Sequence, residues 1–346
     1  MKKTIQNILK KFIIFTFLST MVFGVAVSSA HAEEPTVSFS VSAIIPDNQI
    51  DKELTYFDLL MEPNKEQTIQ IVITNTSNEP IIAKTQINAA STGTNGVIAY
   101  SIPGVRDKSM KHSIEDIATI KEAEIEIAAN SNKVVDIQLK MPKEKYDGVV
   151  LGGIYVTAKN KNETKDDSKD EGIEIKNEIA YALGLKLTET KATVEPNINL
   201  KAIGPSLEAL RTAMKINLQN SEAVIMKNVK IDAQIYKKGS NEVLHSAMSE
   251  TAEIAPNSNF NFIVDWENET IEPGTYRLKM KVDYEDKSWE WDEEFEVKND
   301  DAKEVNEEAI NTEEEFPYWI LFIVGGIALV AVVYLAFILG KRTSKG

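Results

Sequence analysis

The 346-residue sequence contains no cysteine and only three histidines, His31, His112 and His245. The absence of cysteine excludes disulfides, thiolate metal ligands and thiol nucleophiles, so a hydrophobic core alone must stabilise the fold. The histidines do not lie at metal-ligand spacing, and no His-Glu-x-x-His pattern occurs. We therefore expect no cofactor, no metal site and no enzymatic activity.

Basic residues are outnumbered, since 38 lysines and arginines stand against 53 acidic residues and the formal net charge is −15. Proteins that bind phosphate backbones present basic surfaces, so nucleic acid is not an expected partner. A strongly acidic exterior favours solubility and repels anionic polymers unless a local site overrides the field.

Long apolar runs occur only near the two ends of the sequence. Residues 12–27 are apolar and uncharged, follow four lysines, and lead to SSAHA, where Ala30 and Ala32 form a small-x-small cleavage site. This pattern predicts a signal peptide over residues 1–32, cleaved between Ala32 and Glu33. A retained N-terminal anchor is the alternative.

The second apolar run, residues 320–339, has the length of one membrane-spanning helix. Tyr318 and Trp319 precede it as an interfacial belt, and Lys341 and Arg342 follow on the side that the positive-inside rule makes cytoplasmic. A buried helix of a soluble core is the alternative. We expect a transmembrane helix over residues 316–340 and a cytoplasmic tail over 341–346, which together place a single-pass protein in the plasma membrane with an extracellular N-terminal ectodomain.

Between these ends the hydrophobic pattern has a period of two rather than 3.6. In YRLKMKVD (276–283), for example, apolar residues alternate with charged ones, and turn residues separate many such runs. This pattern predicts an all-β ectodomain of two tandem immunoglobulin-like antiparallel β-sandwiches, with about eight strands in the first and about seven in the second. The transmembrane α-helix completes the expected fold.

One element occurs twice, as EIAANSNKVVDIQL (126–139) and EIAPNSNFNFIVDW (253–266). Asn-Ser-Asn is turn chemistry, because asparagine tolerates positive φ and both side chain types bond to nearby backbone. Upstream, Asn75 aligns with Asn220. The repetition predicts two modules of similar strand order, over residues 33–194 and 195–299, followed by an acidic stalk over 300–315.

The first module carries two features that the second lacks. GVVLGGIYV (148–156) is apolar on both faces, and a glycine inside a strand marks a bulge or a close backbone approach, either to a ligand or to internal packing. IAYALGLKL (179–187) has one face of small residues, which could admit another layer or a partner strand. The candidate partner-binding residues of the two runs are Gly152, Gly153, Tyr155, Ala180, Ala182 and Gly184.

Two acidic segments invite other interpretations. The loop 160–172 contains Asp166, Asp167 and Asp170, which could bind calcium, although their spacing does not fit the EF-hand template and a solvated hairpin tip is favoured. In KSWEWDEEFEV (287–297), alternating acids suggest the paired carboxylates of a glycosidase. The acids lie opposite Trp289 and Trp291, however, and a pair of core tryptophans is favoured over a sugar-binding platform.

The sequence resembles the WxL-interacting proteins of low-GC Gram-positive bacteria over essentially its whole length. The resemblance implies a peptidoglycan-binding domain, then a host-binding domain, in a membrane-tethered partner of WxL-domain surface proteins. It supplies no catalytic residues. The stretches that carry it in the first module are PDNQ (46–49), TYFDL (55–59), TNGVIAYS (94–101), YDGVVLGGI (146–154) and IKNEIAYALGL (175–185). Those in the second are KKGSNEVL (237–244), APNSNF (255–260), PGTYRL (273–278) and SWEWDEEF (288–295).

These observations predict a membrane-anchored binding and scaffold protein of the cell surface. Its expected partners are WxL-domain proteins and peptidoglycan, with host extracellular matrix proteins as a further expectation. Two alternatives stay open. The protein could be an assembly chaperone for surface proteins that acts by strand addition, or a wall-active hydrolase, which would need two convergent acids in a cleft.

Overall fold

A computed structural model of the chain describes residues 38–101, 106–161 and 179–310. Several predictions lie outside these residues: the signal peptide with its Ala32–Glu33 cleavage site, the calcium loop, the transmembrane helix with Tyr318 and Trp319, and the tail with Lys341 and Arg342. Neither of the two described helices is long and apolar enough to cross a membrane. The described regular structure is otherwise all β-strand, which confirms the all-β prediction.

Module 1, residues 38–188, is a sandwich of two sheets with a short helix packed between them. Its helix is α1 (Ile114–Ile117). Its strands are β1 (Phe39–Ile44), β2 (Phe57–Leu60), β3 (Glu66–Asn75), β4 (Ile81–Ala89), β5 (Ser91–Thr92), β6 (Ile98–Ala99), β7 (Ala118–Ile120), β8 (Glu124–Ile127), β9 (Asn132–Lys140), β10 (Val149–Asn160) and β11 (Ala180–Thr188).

One sheet of module 1 has the order β1-β3-β9-β7 and the other β2-β11-β10-β4-β8, while β5 and β6 form a separate ribbon. Alternate residues of both sheets enter a shared core, in which Phe57, Ile71 and Ile154 are fully buried. Burial of this kind stabilises by about 25 cal/mol per Å² of apolar surface. The alternation read from the sequence therefore gives two sheets facing one another.

Module 2, residues 198–310, repeats this plan with two sheets in the orders β12-β13-β16 and β15-β14-β17-β18. Trp289 and Trp291 pack against its core rather than forming an exposed platform. The segment 189–197 connects the modules. The strands are β12 (Ile198–Glu208), β13 (Arg211–Asn220), β14 (Met226–Lys237), β15 (His245–Ile254), β16 (Ser258–Asp265), β17 (Gly274–Tyr284) and β18 (Lys287–Val297).

The prediction of purely antiparallel sheets is wrong at one place, because β2 pairs with β11 in parallel, Phe57 opposite Leu185. A tight hairpin forces the antiparallel arrangement, but strands this far apart in sequence are free to pair in either direction. β2 enters this sheet from β1 of the opposite sheet, through residues 45–56.

The predicted acidic stalk is also wrong for its first part. Residues Asn299–Glu308 form helix α2, whose Ala302 is buried in the core of module 2. Asn306 exchanges two hydrogen bonds of 2.9 Å with the backbone of Ile271. Apolar Ala302 and Val305 lie on one helical face, so α2 docks on the module in spite of its acidic composition. Residues 311–315 lie outside the described residues.

Candidate functional site

The duplicated Asn-Ser-Asn element forms the same turn in both modules. Asn130 and Asn257 adopt positive φ angles of 50° and 47°. Each following serine, Ser131 or Ser258, donates its hydroxyl to the alanine carbonyl three residues earlier, at 2.7 and 2.8 Å. The element is therefore structural in both copies, as its turn chemistry predicted.

A buried asparagine anchors each turn from the neighbouring strand. Asn75 donates to the backbone carbonyls of Glu79, Ile127 and Ala128 at 2.8–3.2 Å. Its counterpart Asn220 is fully buried and donates to the carbonyls of Val224 and Ala255 at 2.8 and 3.0 Å. The sequence alignment of Asn75 with Asn220 is thus confirmed by matching hydrogen bonds.

The two turns have different neighbours. In module 1, the Asn130 side-chain amide donates to Asn78 at 3.2 Å and its backbone N–H donates to the Ser77 carbonyl at 3.1 Å, both within the same module. In module 2, Asn257 donates to the carbonyl and hydroxyl oxygens of Ser109 at 3.2 Å, and Asn259 donates to Asp107 at 2.6 Å. The second turn is therefore a contact between the modules.

Asp107 is the centre of that contact, which we call the Asp107 clasp, formed by Asp107 with Gln219 and Asn259. Gln219 donates to both carboxylate oxygens at 2.9 and 3.0 Å. Partial burial would raise the Asp107 pKa, but hydrogen bonds from Ser109, Asn259 and Gln219 outweigh it and lower the pKa to about 2. Asp107 is therefore a carboxylate at physiological pH, held in that form by Ser109 of its own module and by Asn259 and Gln219 of module 2.

Backbone bonds and a small apolar cluster complete the interface between the modules. Val149 donates to the Ala223 carbonyl, and Glu253 to the Gly96 carbonyl, both at 2.8 Å. Ala90 and Leu151 of module 1 are buried together with Ala255 of module 2. This combination of clasp, backbone bonds and apolar contact fixes the modules against each other.

The glycine pair in β10 is explained by close packing on both sides. A Cβ at Gly152 would lie 2.2 Å from Ile114 Cγ2 of the core helix α1, and a Cβ at Gly153 would lie 2.5 Å from the Tyr100 ring. Gly152 therefore faces the core, while Gly153 faces outward under a tyrosine. Of the six predicted partner-binding residues, Gly152 is the one that the structure places away from the outer surface.

The other five share the outer face of the β10–β11 pair. Gly153 is opposite Gly184, Tyr155 is opposite Ala182, and Thr157 is opposite Ala180. Tyr56 covers Gly184, with ring carbons 3.5–3.6 Å from where its Cβ would be. We call this surface the tyrosine face; its members are Tyr56, Tyr100, Tyr155, Gly153, Ala182 and Gly184.

Three half-buried tyrosines thus lie over or beside a floor of small residues. Burial, with smaller contributions from Tyr56 and Glu253, raises the Tyr100 pKa to about 12, so its hydroxyl stays protonated. The side-chain amide of Asn88 donates a hydrogen bond of 2.7 Å to the backbone carbonyl of Tyr100. Sequence reasoning missed Tyr56 and Tyr100, because both reach the glycines from loops distant in sequence and no local pattern marks that contact.

The corresponding outer face of module 2 is charged. Arg277, Lys279 and Lys281 of β17 lie opposite Glu294, Asp292 and Glu290 of β18. A hydrogen bond from Arg277 lowers the pKa of Asp292, an effect that outweighs its slight desolvation. The general acid of a glycosidase needs a raised pKa, which Asp292 with its lowered pKa does not provide.

Two family models match the chain. The model described as WxL Interacting Protein, peptidoglycan binding domain, matches residues 39–158, and the one described as WxL Interacting Protein, host binding domain, matches residues 170–307. The second match begins before β11, although β11 pairs with β10 and β2 of module 1. No curated protein is similar enough in sequence to match.

Among solved structures, similarity is found to pilus-assembly chaperones. The CsuC–CsuE chaperone–tip adhesin complex of Acinetobacter baumannii is 10% identical, with a TM-score of 0.31 over 75% of this chain and 98% of that one. The E. coli chaperone DraB is 11% identical, with a TM-score of 0.29 over 76% of this chain and 98% of that one. These values are too low to inform the function.

Proposed function

This chain belongs to the WxL-interacting protein family, and on that premise we propose that module 1 binds peptidoglycan through the tyrosine face. The family match supports a cell-surface binding role and assigns peptidoglycan binding to residues 39–158. The tyrosines and Gly153 of the tyrosine face lie within that range. The family match does not say which surface of module 1 binds the polymer, and the geometry of module 1 supports the tyrosine face.

The observation that carries the proposal is the exposed Ala182 beside Tyr155, on a face where Tyr100 and Tyr56 lie over the glycines. Tyrosine offers an apolar ring and a polar hydroxyl on one rigid side chain. A sugar ring likewise has an apolar face and hydroxyls at its rim. Its apolar face can therefore stack on a tyrosine ring that lies flat on the sheet, while its hydroxyls bond to polar groups nearby. Ala182 has no long side chain that would obstruct a glycan approaching Tyr155, and Gln86 lies opposite Tyr155 to supply amide hydrogen bonds.

The experiment is co-sedimentation of the purified full chain with insoluble peptidoglycan. We expect the double variant Tyr56→Ala/Tyr155→Ala to bind at least tenfold more weakly, and Tyr56→Phe/Tyr155→Phe, which keeps both rings, to retain most of the binding. Tyr284→Ala in module 2 is the control for loss of a half-buried tyrosine elsewhere. Unchanged sedimentation of the folded alanine variant would refute the assignment of this face.

We further propose that the protein is a single-pass plasma-membrane protein whose ectodomain binds WxL-domain proteins, with host matrix as a second class of partner. The apolar run at residues 320–339 and the predicted signal peptide support the anchoring. The family description supports the partners. Extraction of the native protein by alkaline carbonate would contradict the anchor, and failure to retain WxL-domain proteins at micromolar concentration would contradict that partnership.

A second candidate function, assembly of surface proteins by strand addition, is favoured by an unusual strand edge. β2 covers β11 only from Leu185 to Thr188, so Ala180–Gly184 have no β-partner on that side among the described residues. β1, the edge strand of the facing sheet, lies next to this stretch of β11. The ring centroids of Phe39 in β1 and Tyr181 in β11 are 4.9 Å apart. Neither stretch carries a charge, whereas the β18 edge carries five acids. Charged residues normally protect such edges from pairing.

Refolding of a WxL-domain protein with and without the full chain tests this second function. A chaperone acting through the β11 edge would suppress aggregation of the client, and Ala182→Lys would abolish that effect by placing a charge beside the edge. Thr157→Lys, on the same face of the central strand β10, is the matched control. A client that refolds equally well alone would remove this candidate.

A further inference from the structure

A cavity of about 670 Å³ lies between the two modules, a volume in the range of small-molecule and short-peptide sites. Module 1 lines it with Arg106, Lys108 and Glu115, among others, and module 2 with Lys201 and Asn217. The Asp107 clasp forms part of the same wall, since all three of its residues line the cavity. The cavity therefore exists only while the modules are docked.

The charged groups of this cavity divide into those already paired and those left over. Arg106 is paired with Asp116 at 2.7 Å and also donates to the carbonyls of Met110 and Lys111. Asp107 is satisfied by the clasp. Lys108 and Lys201, from opposite modules, make no ion pair with any described residue. Two unused ammonium groups thus border a cavity in a protein whose net charge is −15.

One acid provides a contrasting group. Glu115 accepts a hydrogen bond from the Ala89 backbone N–H at 3.1 Å through one carboxylate oxygen and is exposed at the cavity. Apart from the paired Arg106 and the Asp107 carboxylate of the clasp, the lining therefore offers two free cations, the Glu115 carboxylate, and the amide and hydroxyl groups of Asn217 and Ser91. A purely anionic ligand would meet Glu115 unfavourably, while a ligand with carboxylates and an amine or amide chain would match all three kinds of group.

We propose that this cavity binds a short peptide with free carboxylates, with Lys108 and Lys201 pairing the carboxylates and Glu115 meeting an amine or amide N–H. This inference rests on the proposed function, because the peptide stems that hang from peptidoglycan glycan strands have this chemistry. Ala90 lines the cavity and also lies in the buried cluster against which Tyr100 packs. A glycan on the tyrosine face and a stem in the cavity would therefore occupy neighbouring parts of module 1.

The ligand would contact both modules at once, which has a thermodynamic consequence. Binding that requires the docked arrangement stabilises that arrangement by mass action. A peptide in the cavity should therefore strengthen the Asp107 clasp, and loss of the clasp should weaken the peptide site. The host-binding module would thereby be held in one orientation while the wall polymer is bound.

The test is isothermal titration of the purified full chain with a synthetic, glycan-free stem pentapeptide. We expect binding in the wild type, and an affinity at least tenfold lower in Lys108→Glu/Lys201→Glu. Lys65→Glu/Lys133→Glu reverses two exposed lysines of module 1 that do not line the cavity, so it should bind the peptide as the wild type does. Because the cavity lysines are exposed, the affinity should also fall as salt rises.

Two results would overturn the inference: no binding by the wild type at millimolar peptide, or equal affinity in the cavity variant and the wild type. Soluble glycan chains stripped of peptides separate this failure from failure of the proposed function. Loss of peptide binding with intact glycan binding would refute only the cavity. Intact peptide binding with no glycan binding would refute the tyrosine face and leave the cavity site standing as a peptide site.

Discussion

The two modules are alike inside and different outside. Each holds an Asn-Ser-Asn turn with a buried asparagine, Asn75 or Asn220, and the serine hydroxyls make matching bonds. The outer faces do not match, since module 1 presents tyrosines over glycines and module 2 presents a charged ladder from Arg277 to Lys281. Shared residues thus maintain the sandwich, and the binding face that we propose lies among the residues that differ.

The largest expected effect tests the shared interior. Asn75→Ala and Asn220→Ala each leave buried backbone carbonyls without their donor, so we expect each to reduce the free energy of unfolding of its own module by about 3 kcal/mol. All three tryptophans among the described residues lie in module 2, and one of them, Trp266, is buried. Tryptophan fluorescence therefore reports module 2, and far-UV circular dichroism reports both. A loss below 1 kcal/mol in only one module would break the equivalence of the turns.

The second effect concerns the glycine pair, which module 2 lacks. Gly152→Ala would force a methyl group into Ile114 and the Asn88 carbonyl, and overpacking of this kind costs about 2 kcal/mol. Gly184→Ala meets Tyr56 at an ordinary contact distance of 3.5 Å and should change stability by less than about 0.5 kcal/mol. Urea denaturation followed by circular dichroism measures both. Equal losses would mean that Gly152 is not confined by the core.

The third effect tests the different neighbours of the two turns. Asp107→Ala removes charge-assisted hydrogen bonds to Gln219 and Asn259 at a partly exposed site, so we expect a loss of about 1 kcal/mol in the coupling of the modules. Asn78→Ala removes the corresponding neighbour of the module 1 turn and should leave the coupling unchanged. Small-angle scattering should show a larger radius of gyration for the first variant alone. The same change in both would contradict the assignment of Asp107 as the clasp.

The smallest effect is a pH dependence confined to module 2. Burial lowers the pKa of His245 below 6.5, although Glu269 and its neighbours partly oppose this. The unfolded chain then binds the proton more strongly, so module 2 should be most stable above pH about 6.5 and lose stability as the pH falls below that value. His245→Phe keeps the ring contact with Trp266 and should remove this slope. A slope that persists in the variant would assign it to other groups.

Local features of the fold were accessible from the sequence, because they depend on neighbouring residues. Strand alternation and the Asn-Ser-Asn turns required only periodicity and the tolerance of asparagine for positive φ. The Asp107 clasp joins residues 112 and 152 positions apart, and no composition rule indicates such a contact. The same holds for Tyr56 and Tyr100, which complete the tyrosine face from loops. The docking of α2 was not predicted, because the acidic composition of the segment favoured a solvated stalk over packing of Ala302 and Val305.

The measurement that tests the central claim most directly is a hydrogen-exchange footprint of soluble peptidoglycan glycan chains on the full-length protein. The tyrosine face predicts slowed exchange in β10 and β11, over Val149–Asn160 and Ala180–Thr188, with no change in β17 and β18 of the charged face. Protection of β17 and β18 without protection of β10 and β11 would contradict the claim and assign glycan binding to module 2.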